Sequence, residues 1–535
     1  MLKIAFVNPP HADWSLANNL TYLLCQSHYQ RHGKHEVEWL PAPYKWDKYQ
    51  SCEEVLEEIS DADVIMFSSY VWNYPIVDRI AELASDKIKV LGGPHIGQFR
   101  PQYDYICQPT KPGEVFMETL IDKLMGDETE IAWELRSDFK MPFAFDKVDY
   151  SVYEDHFDYL KELNDYARQN DLEQFICFET TRGCPYQCVF CEWGGGINTK
   201  IMKKETDVVK RDIDAMKKAG YNSAYLTDAN FGAFIERDVE IFKYAWKNNF
   251  NLTDISTMKS KDLKRRTALI DAWFDVVGST DFVSDSIVPT VSIQSVSEEA
   301  MKVAKRVDLS LEDKLELSRH INKRCVEENL PVPALELILA MPGSTIEDFY
   351  REMEIIWNFQ AWGSHRHDYM FLPDSTLNSE EYKKEFDIKT VEVYTDIVDE
   401  DGIDNINGLY QGRKSHFETI LSCYSFGESE MKEMWFMNNA ANYMLQNWYP
   451  TIQSEINVYE FTRFAYNIIE QLESFEAIRK EIDDIFNPET PPRSIRQLGG
   501  RFRLETINEF LEENRLFIIN GIFEKCLKTS IQKVS

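Results

Sequence analysis

No apolar run of about 18 residues occurs in the 535-residue chain, so no membrane-spanning helix is expected. The apolar stretch at residues 2–7 is broken by Lys3 and ends at Pro9-Pro10. It is too short for a secretory core and reads as a strand. Positive charge is scarce: 58 Lys and Arg stand against 90 Asp and Glu, a formal net charge of −32. Such a surface repels phosphates, which excludes nonspecific binding to nucleic acid or to anionic membranes. The local basic clusters, Lys203-Lys204 and Lys264-Arg265-Arg266, read as solvated helix faces. Cysteine is sparse, at 10 residues, so a disulfide framework is not expected. Internal repeats and low-complexity segments are absent. The expectation is a soluble, cytoplasmic chain of two to four domains, with 44% hydrophobic residues available for its cores.

Three of the cysteines stand together. The run Thr180-Thr181-Arg182-Gly183-Cys184-Pro185-Tyr186-Gln187-Cys188-Val189-Phe190-Cys191 places them at C-x3-C-x2-C spacing. Zinc also takes closely spaced thiolates, but normally as two pairs closing a tetrahedron. Here no second pair follows, and no His lies three to five residues on. Three thiolates suit three irons of a cubane [4Fe–4S] cluster, with Cys184, Cys188 and Cys191 as ligands. A fourth ligand at matching spacing is missing, so one iron is left open to bind a small molecule.

This pattern resembles the signature of the radical SAM superfamily. The resemblance implies that the open iron chelates S-adenosylmethionine, and that an electron from the reduced cluster cleaves it to a 5′-deoxyadenosyl radical.

Residues 1–127 alternate strand and helix patterns, with strands at 3–8, 36–40, 63–69 and 87–91. This predicts a doubly wound, Rossmann-like open sheet. Ligands of such sheets lie at the carboxyl ends of the strands. Those ends carry Asn8-Pro9-Pro10-His11, Ser68-Ser69-Tyr70 and Gly92-Gly93-Pro94-His95. Taken singly, a Gly-Gly-Pro turn is ordinary turn chemistry, and each histidine reads as an ordinary loop residue. In order, the three stretches resemble the cobalamin-binding domain found ahead of radical SAM domains. The resemblance implies a corrin held by Asn8, Pro9, His11, Ser68, Ser69, Tyr70, Gly92, Gly93, Pro94 and His95. One departure stands out: the D-x-H-x-x-G motif that supplies a lower axial histidine in many cobalamin enzymes is missing around His11.

Residues 128–173 read as a structured linker. From 174 to 400 a second alternating series predicts six βα units, with strands near 175–179, 223–227, 254–258, 288–294, 334–339 and 367–371. This is the partial (β/α)6 barrel that radical SAM proteins share, with function at the carboxyl strand ends. Residues 401–535 read as mainly helical, with Met and aromatic residues in their core.

Further motifs follow the cysteines in register with the same family. Phe190 lies between two ligands, and its backbone is implied near the adenine. Trp193 is a candidate to shield the cluster or stack on a corrin edge, with ordinary packing as the alternative. Thr227-Asp228-Ala229-Asn230-Phe231-Gly232 resembles a D-x-N-F-G motif whose Asp228 and Asn230 face the methionine part of the cofactor. The alternative for Asp228 is a turn and helix cap. Ser292, Gln294 and Arg306 match the run that contacts carboxylate and ribose, although Arg306 on a charged helix end also reads as a surface residue. Glu336 opens a strand resembling the adenine-binding one.

The resemblance covers about residues 1–380 and implies a cobalamin-dependent radical SAM enzyme, most simply a C-methyltransferase. An unactivated carbon is a poor nucleophile, so direct transfer from a sulfonium fails. A carbon radical can instead take a methyl from methylcobalamin. The implied cofactors are a [4Fe–4S] cluster, S-adenosylmethionine and cobalamin. The implied partners are a small-molecule or peptide substrate and an electron donor such as flavodoxin or ferredoxin. Non-methylating rearrangement, cyclisation or oxidation with the same cofactors is the alternative chemistry, and a cobalamin- or redox-sensing protein without turnover is the alternative class. No catalytic acid or base is identified.

Overall fold

A computed structural model describes the chain except for residues 10–18, 44–49, 97–99, 108–111, 128–147, 173–175, 192–200, 254–260, 278–290, 334, 360–363, 368, 374, 397–413, 453–454, 492, 495–500 and 535. His11 and Trp193 lie outside the described residues.

The N-terminal unit is built from β1 (Leu2–Val7), α1 (Leu20–His32), β2 (Val37–Trp39), α2 (Cys52–Glu58), β3 (Val64–Ser68), α3 (Tyr74–Leu83), β4 (Ile88–Gly92), β5 (Tyr105–Ile106) and α4 (Gly113–Leu124). The strands pair in parallel in the order β2-β1-β3-β4-β5. All of β3, Val-Ile-Met-Phe-Ser, is buried, as a central strand covered on both faces requires. Ile65 and Phe67 face a core with Ile76, Val77 and Ile80 of α3, while Ile4, Phe6 and Met66 pack with Tyr22 of α1 and Phe116 of α4. The chain crosses between β1 and β3, which is the topological switch point of this strand order.

A connecting segment follows, with α5 (Val152–Asp155) and α6 (Phe157–Gln169). Its Ser151 hydroxyl (2.6 Å) and Tyr153 amide (3.0 Å) donate to Asp212, which also pairs with the Lys204 ammonium at 3.3 Å. Both charged side chains are fully buried. Lys204 is therefore not part of a solvated basic face: Asp212, eight residues on, folds back to supply a carboxylate that the linear charge pattern does not reveal. Asp212→Ala strands a buried ammonium and is expected to cost about 3–5 kcal/mol. Chemical denaturation checks this.

The second α/β unit begins with β6 (Cys177–Phe178), the short antiparallel pair β7 (Thr181–Arg182) and β8 (Met202–Lys203), α7 (Thr206–Lys218), β9 (Ser223–Leu226), α8 (Ile235–Lys247), β10 (Asn251–Thr253) and α9 (Leu263–Val277). It continues with β11 (Ser292–Gln294), α10 (Glu298–Val303), α11 (Leu311–Glu327), β12 (Leu335–Ile338), α12 (Ile346–Asn358) and β13 (Ser364–His367). Six parallel strands result, arranged as two three-stranded sheets, β10-β9-β6 and β11-β12-β13. The third strand lies at 251–253, ahead of the predicted 254–258, which fall among undescribed residues. The sixth lies at 364–367, not at 367–371.

Residues 370–371 instead form β14 (Met370–Phe371), which joins a separate sheet. After α13 (Glu380–Glu385) come β15 (Lys389–Asp396) and β16 (Lys414–Ser422), and later β17 (Arg493–Ser494), in the order β14-β16-β15-β17. This sheet spans the boundary expected at 400 and interrupts the helical reading of the C-terminal region. Alternation such as Val391 and Val393 buried on either side of exposed Glu392 is a strand signal of period two. Helices α14 (Glu428–Asn447), α15 (Tyr449–Ile452), α16 (Val458–Ile469), α17 (Glu476–Ile485) and α18 (Arg501–Val534) complete the chain. Met431, Met434, Met437 and Met444 of α14 are core, packed with Phe436, Phe461 and Leu511. No described helix is long and apolar enough to cross a membrane.

Candidate functional site

At the carboxyl ends of the N-terminal strands, one buried amide ties the switch point together. The Asn73 side-chain NH2 reaches Asn8 Oδ1 (3.2 Å), the Pro9 carbonyl (3.0 Å) and the Ser68 carbonyl (3.1 Å). Its Oδ1 accepts from the Tyr70 amide at 2.7 Å. The ends of β1 and β3 are thus held as one rim. The Ser69 amide donates to the Gly92 carbonyl (2.8 Å), and the His95 amide to the Ser69 carbonyl (3.0 Å). Gly93 between them has φ +95°. A Cβ there would lie 2.5 Å from the Ser69 carbonyl oxygen, so only glycine fits. Tyr70 stacks on Trp72 with ring centroids 4.5 Å apart.

His95 is 7% exposed and stacks on Tyr74 at 4.7 Å. Burial, and then the nearby Arg100 cation, push its pKa down to about 4. It is a neutral imidazole at physiological pH. Its Nδ1 is buried with no hydrogen-bond partner among the described residues. The rim therefore combines a glycine-lined approach with an uncommitted buried nitrogen, which suits a bulky amide-bearing ligand such as a corrin.

The cysteine loop leaves the carboxyl end of β6. Asp228, after β9, accepts hydrogen bonds from the Thr180 amide (2.7 Å) and hydroxyl (2.5 Å), and from the Thr181 amide (3.0 Å) and hydroxyl (2.9 Å). Burial raises its pKa to about 6, against the pull of those four donors, and it is ionised at neutral pH. Both its oxygens serve the strand entering the cysteine loop, so the structure gives Asp228 a positioning role. Arg237 adds to this: its Nη2 donates to the carbonyls of Thr180 and Lys204, both at 2.9 Å, and its Nη1 pairs with Asp238 at 2.6 Å. Asp238 in turn accepts from the Gly232 amide at 2.8 Å, which shapes the turn after Asn230. Asp228→Ala orphans four buried donors. It is expected to lower stability by at least about 3 kcal/mol, read by urea unfolding, and to reduce iron retained after reconstitution.

Asn230 is 1% exposed, and neither Oδ1 nor Nδ2 has a partner among the described residues. A buried amide open on both atoms at a strand end leaves hydrogen bonds for a polar group to satisfy. In the other three-stranded sheet, Gln294 sits at a bulge in the pairing of β11 with β12, with φ +68°. The Ser292 hydroxyl donates to Glu336 Oε2 across that pair. Phe190 is half-buried against the large C-terminal core.

Behind the cysteine loop lies a cationic hub. Asp308 pairs with Arg306 (2.9 Å), Arg266 (2.9 Å) and Lys314 (3.4 Å), and none of these side chains is more than 6% exposed. Three cations against one carboxylate leave a surplus of two positive charges among the described residues. Burial pushes the Lys314 amine down to about 8. Arg306 Nη1 lies 3.9 Å from Cys188 Sγ. Burial alone would lower the pKa of Arg306, yet Asp308 and Cys188 hold it above its ordinary value. Surplus buried positive charge requires a fixed anion nearby. A thiolate-ligated cluster at Cys184, Cys188 and Cys191 supplies one, so these residues fit that group. Arg306 and Arg266 are thus interior, not surface, residues. The sequence reading missed the hub because Asp308 carries no motif and its three partners are 42, 2 and 6 residues away.

No protein-family profile matches the chain. Among curated proteins it is 25% identical over 372 residues to the cobalamin-dependent radical SAM methyltransferase TokK of Streptomyces tokunonensis, covering 63% of this chain and 51% of that protein. It is likewise 25% identical over 374 residues to a 2-(S-pantetheinyl)-carbapenam-3-carboxylate methyltransferase of Streptantibioticus cattleyicolor, with the same shares. The chain spans about half the length of these relatives. Among solved structures it resembles the cobalamin-dependent S-adenosylmethionine radical enzyme OxsB, with a TM-score of 0.54 at 11% identity over 99% of this chain and 80% of that one. It also resembles the radical S-adenosylmethionine methyltransferase TsrM of Kitasatospora setae, with a TM-score of 0.52 at 13% identity over 82% of this chain and 88% of that one.

Proposed function

We propose that this chain, which shares the fold of the cobalamin-dependent radical SAM enzymes, is a C-methyltransferase acting on an unactivated carbon of a small molecule. The observation that carries the reading is the placement of Cys184, Cys188 and Cys191 on a strand-end loop above a buried hub with surplus positive charge. The names of the two methyltransferase relatives support the reaction class over the non-methylating and sensing alternatives.

When bound, the [4Fe–4S] cluster supplies the electron that cleaves S-adenosylmethionine, and the corrin supplies the methyl to be transferred. The chain's own residues hold and orient. Cys184, Cys188 and Cys191 would ligate three irons. Arg306, fixed by Asp308, lends positive charge beside the Cys188 sulfur. Asn230 offers a carbonyl acceptor and an amide donor to the polar end of S-adenosylmethionine, and Gln294, Ser292 and Glu336 line the neighbouring strand ends. The rim of Asn8, Pro9, Ser68 to Tyr70 and Gly92 to His95 would receive the corrin, with the neutral His95 imidazole stacked on Tyr74 beside it. A low-potential electron donor of the flavodoxin or ferredoxin class completes the cycle.

Anaerobic reconstitution with iron, sulfide and hydroxocobalamin tests the reading. The loaded protein is expected to release 5′-deoxyadenosine on addition of reductant and S-adenosylmethionine. Stoichiometric zinc in place of iron, or no retained corrin, would refute it.

A further inference from the structure

We infer that Arg182, through Glu114, is the positioning residue that sets the N-terminal sheet domain against the cysteine loop, an inference that rests on the function proposed above. Arg182 stands two residues before Cys184, and Gly183 between them turns the chain with φ +102°. The guanidinium makes two forks. Its Nε and Nη2 donate to Glu179 at 3.0 and 2.8 Å. Its Nη1 and Nη2 donate to Glu114 at 3.1 and 2.9 Å. Glu179 belongs to the same segment, after β6. Glu114 belongs to the first turn of α4 in the other domain, where the helix N-terminus favours a carboxylate. The side chains of Arg182, Glu114 and Glu179 are 14%, 4% and 8% exposed.

The rest of the joint shows why this contact matters. Leu23 and Leu24 of α1 pack with Val148, Tyr150 and Val152 of the connecting segment, and with Met202 and Val208 of the barrel. That apolar seam is tolerant of sliding, and polar contacts add to it: Arg31 of α1 pairs with Asp155 at 2.7 Å, Ser27 meets His156 at 3.0 Å, and Asn19 donates to Tyr159 at 2.6 Å, all on the connecting segment. Thr180 and Thr181 are fixed within the barrel by Asp228 and Arg237. Arg182 is the next residue, and it reaches across to the other domain through a planar, bidentate geometry that lysine cannot reproduce. The pair therefore fixes the register at the cysteine segment itself, two residues before Cys184. Two cofactors that must act on one carbon need that register, because misplacement of about 1 Å can cost about 100-fold in rate.

The test uses the full chain, reconstituted with iron, sulfide and hydroxocobalamin and poised so that both the corrin cobalt and the cluster are paramagnetic. Pulsed dipolar EPR then reads the distance between them. Glu114→Gln and Arg182→Lys are expected to keep wild-type iron and corrin content while the distance distribution widens at least about twofold. Glu118→Gln, on the same helix but paired with His28 of its own domain at 2.7 Å, is the control and should leave the distribution unchanged. Amide exchange of the cofactor-free chain gives a second reading, with several-fold faster exchange along the Leu23–Met202 seam expected in Glu114→Gln. Variants with wild-type distance and exchange would overturn the inference alone. A wild-type chain that binds neither group would overturn the functional reading beneath it.

Discussion

Replacing Cys188 by alanine is expected to abolish the cluster and with it S-adenosylmethionine cleavage, a loss of at least about 1,000-fold. Cys184→Ala and Cys191→Ala should do the same, because two thiolates cannot hold a cubane that already lacks a fourth protein ligand. Cys188 has a second consequence. It is 5% exposed and is the cysteine beside Arg306, so its removal also takes the nearest anion from the buried cationic hub. Its loss should therefore leave less residual iron than loss of Cys184 or Cys191, both of which are more exposed. Iron and acid-labile sulfide analysis, the cluster's absorbance and 5′-deoxyadenosine release measure these effects together. Full iron content and cleavage in any of the three variants would remove that cysteine from the ligand set.

The second large effect is expected from Gly93→Ala. The residue has φ +95°, which costs an L side chain about 1–2 kcal/mol. The larger penalty is steric, since the new Cβ meets backbone, at 2.5 Å from the Ser69 carbonyl oxygen and 2.7 Å from its nitrogen. Backbone cannot swing away as a side chain can, so the ends of β3 and β4 must part. The bonds from the Ser69 amide to Gly92 and from the His95 amide to Ser69 would go with them. Corrin retention should fall at least about tenfold while the cysteine loop, which makes none of these bonds, keeps its iron. Gly113→Ala is the control, since a Cβ at Gly113 meets nothing within 4 Å. Corrin absorbance at equal iron content reads the difference. Equal retention in both variants would place the corrin elsewhere.

Short-range periodicity decides much of the fold. The buried run of β3 and the alternation of strand and helix through residues 1–124 required a parallel sheet, and the sheet is there. The barrel strands β6, β9, β11 and β12 fall within the predicted stretches. The fold departs from the linear pattern where a residue's partner lies on another element. Residues 370–371 look like a continuation of the last barrel strand, yet they pair antiparallel with Glu418 and Thr419. Lys204 and Arg266 look like solvated charge in a linear reading, yet each meets a buried carboxylate.

The candidate site divides in the same way. The ligand types are a property of the sequence: three thiolates at fixed spacing, a glycine pair before Pro94, and an Asp-x-Asn turn after a strand. These are set by chemistry and by local backbone demands, which neighbours in the chain report directly. Which polar groups meet is decided by distance in space. Folding spent both oxygens of Asp228 on Thr180 and Thr181, left Asn230 open, gathered Arg266, Arg306 and Lys314 on Asp308, and joined Arg182 to Glu114 across 68 residues. Hydrogen bonds and ion pairs act over a few ångströms, so which polar groups satisfy one another depends on packing, which no stretch of sequence contains.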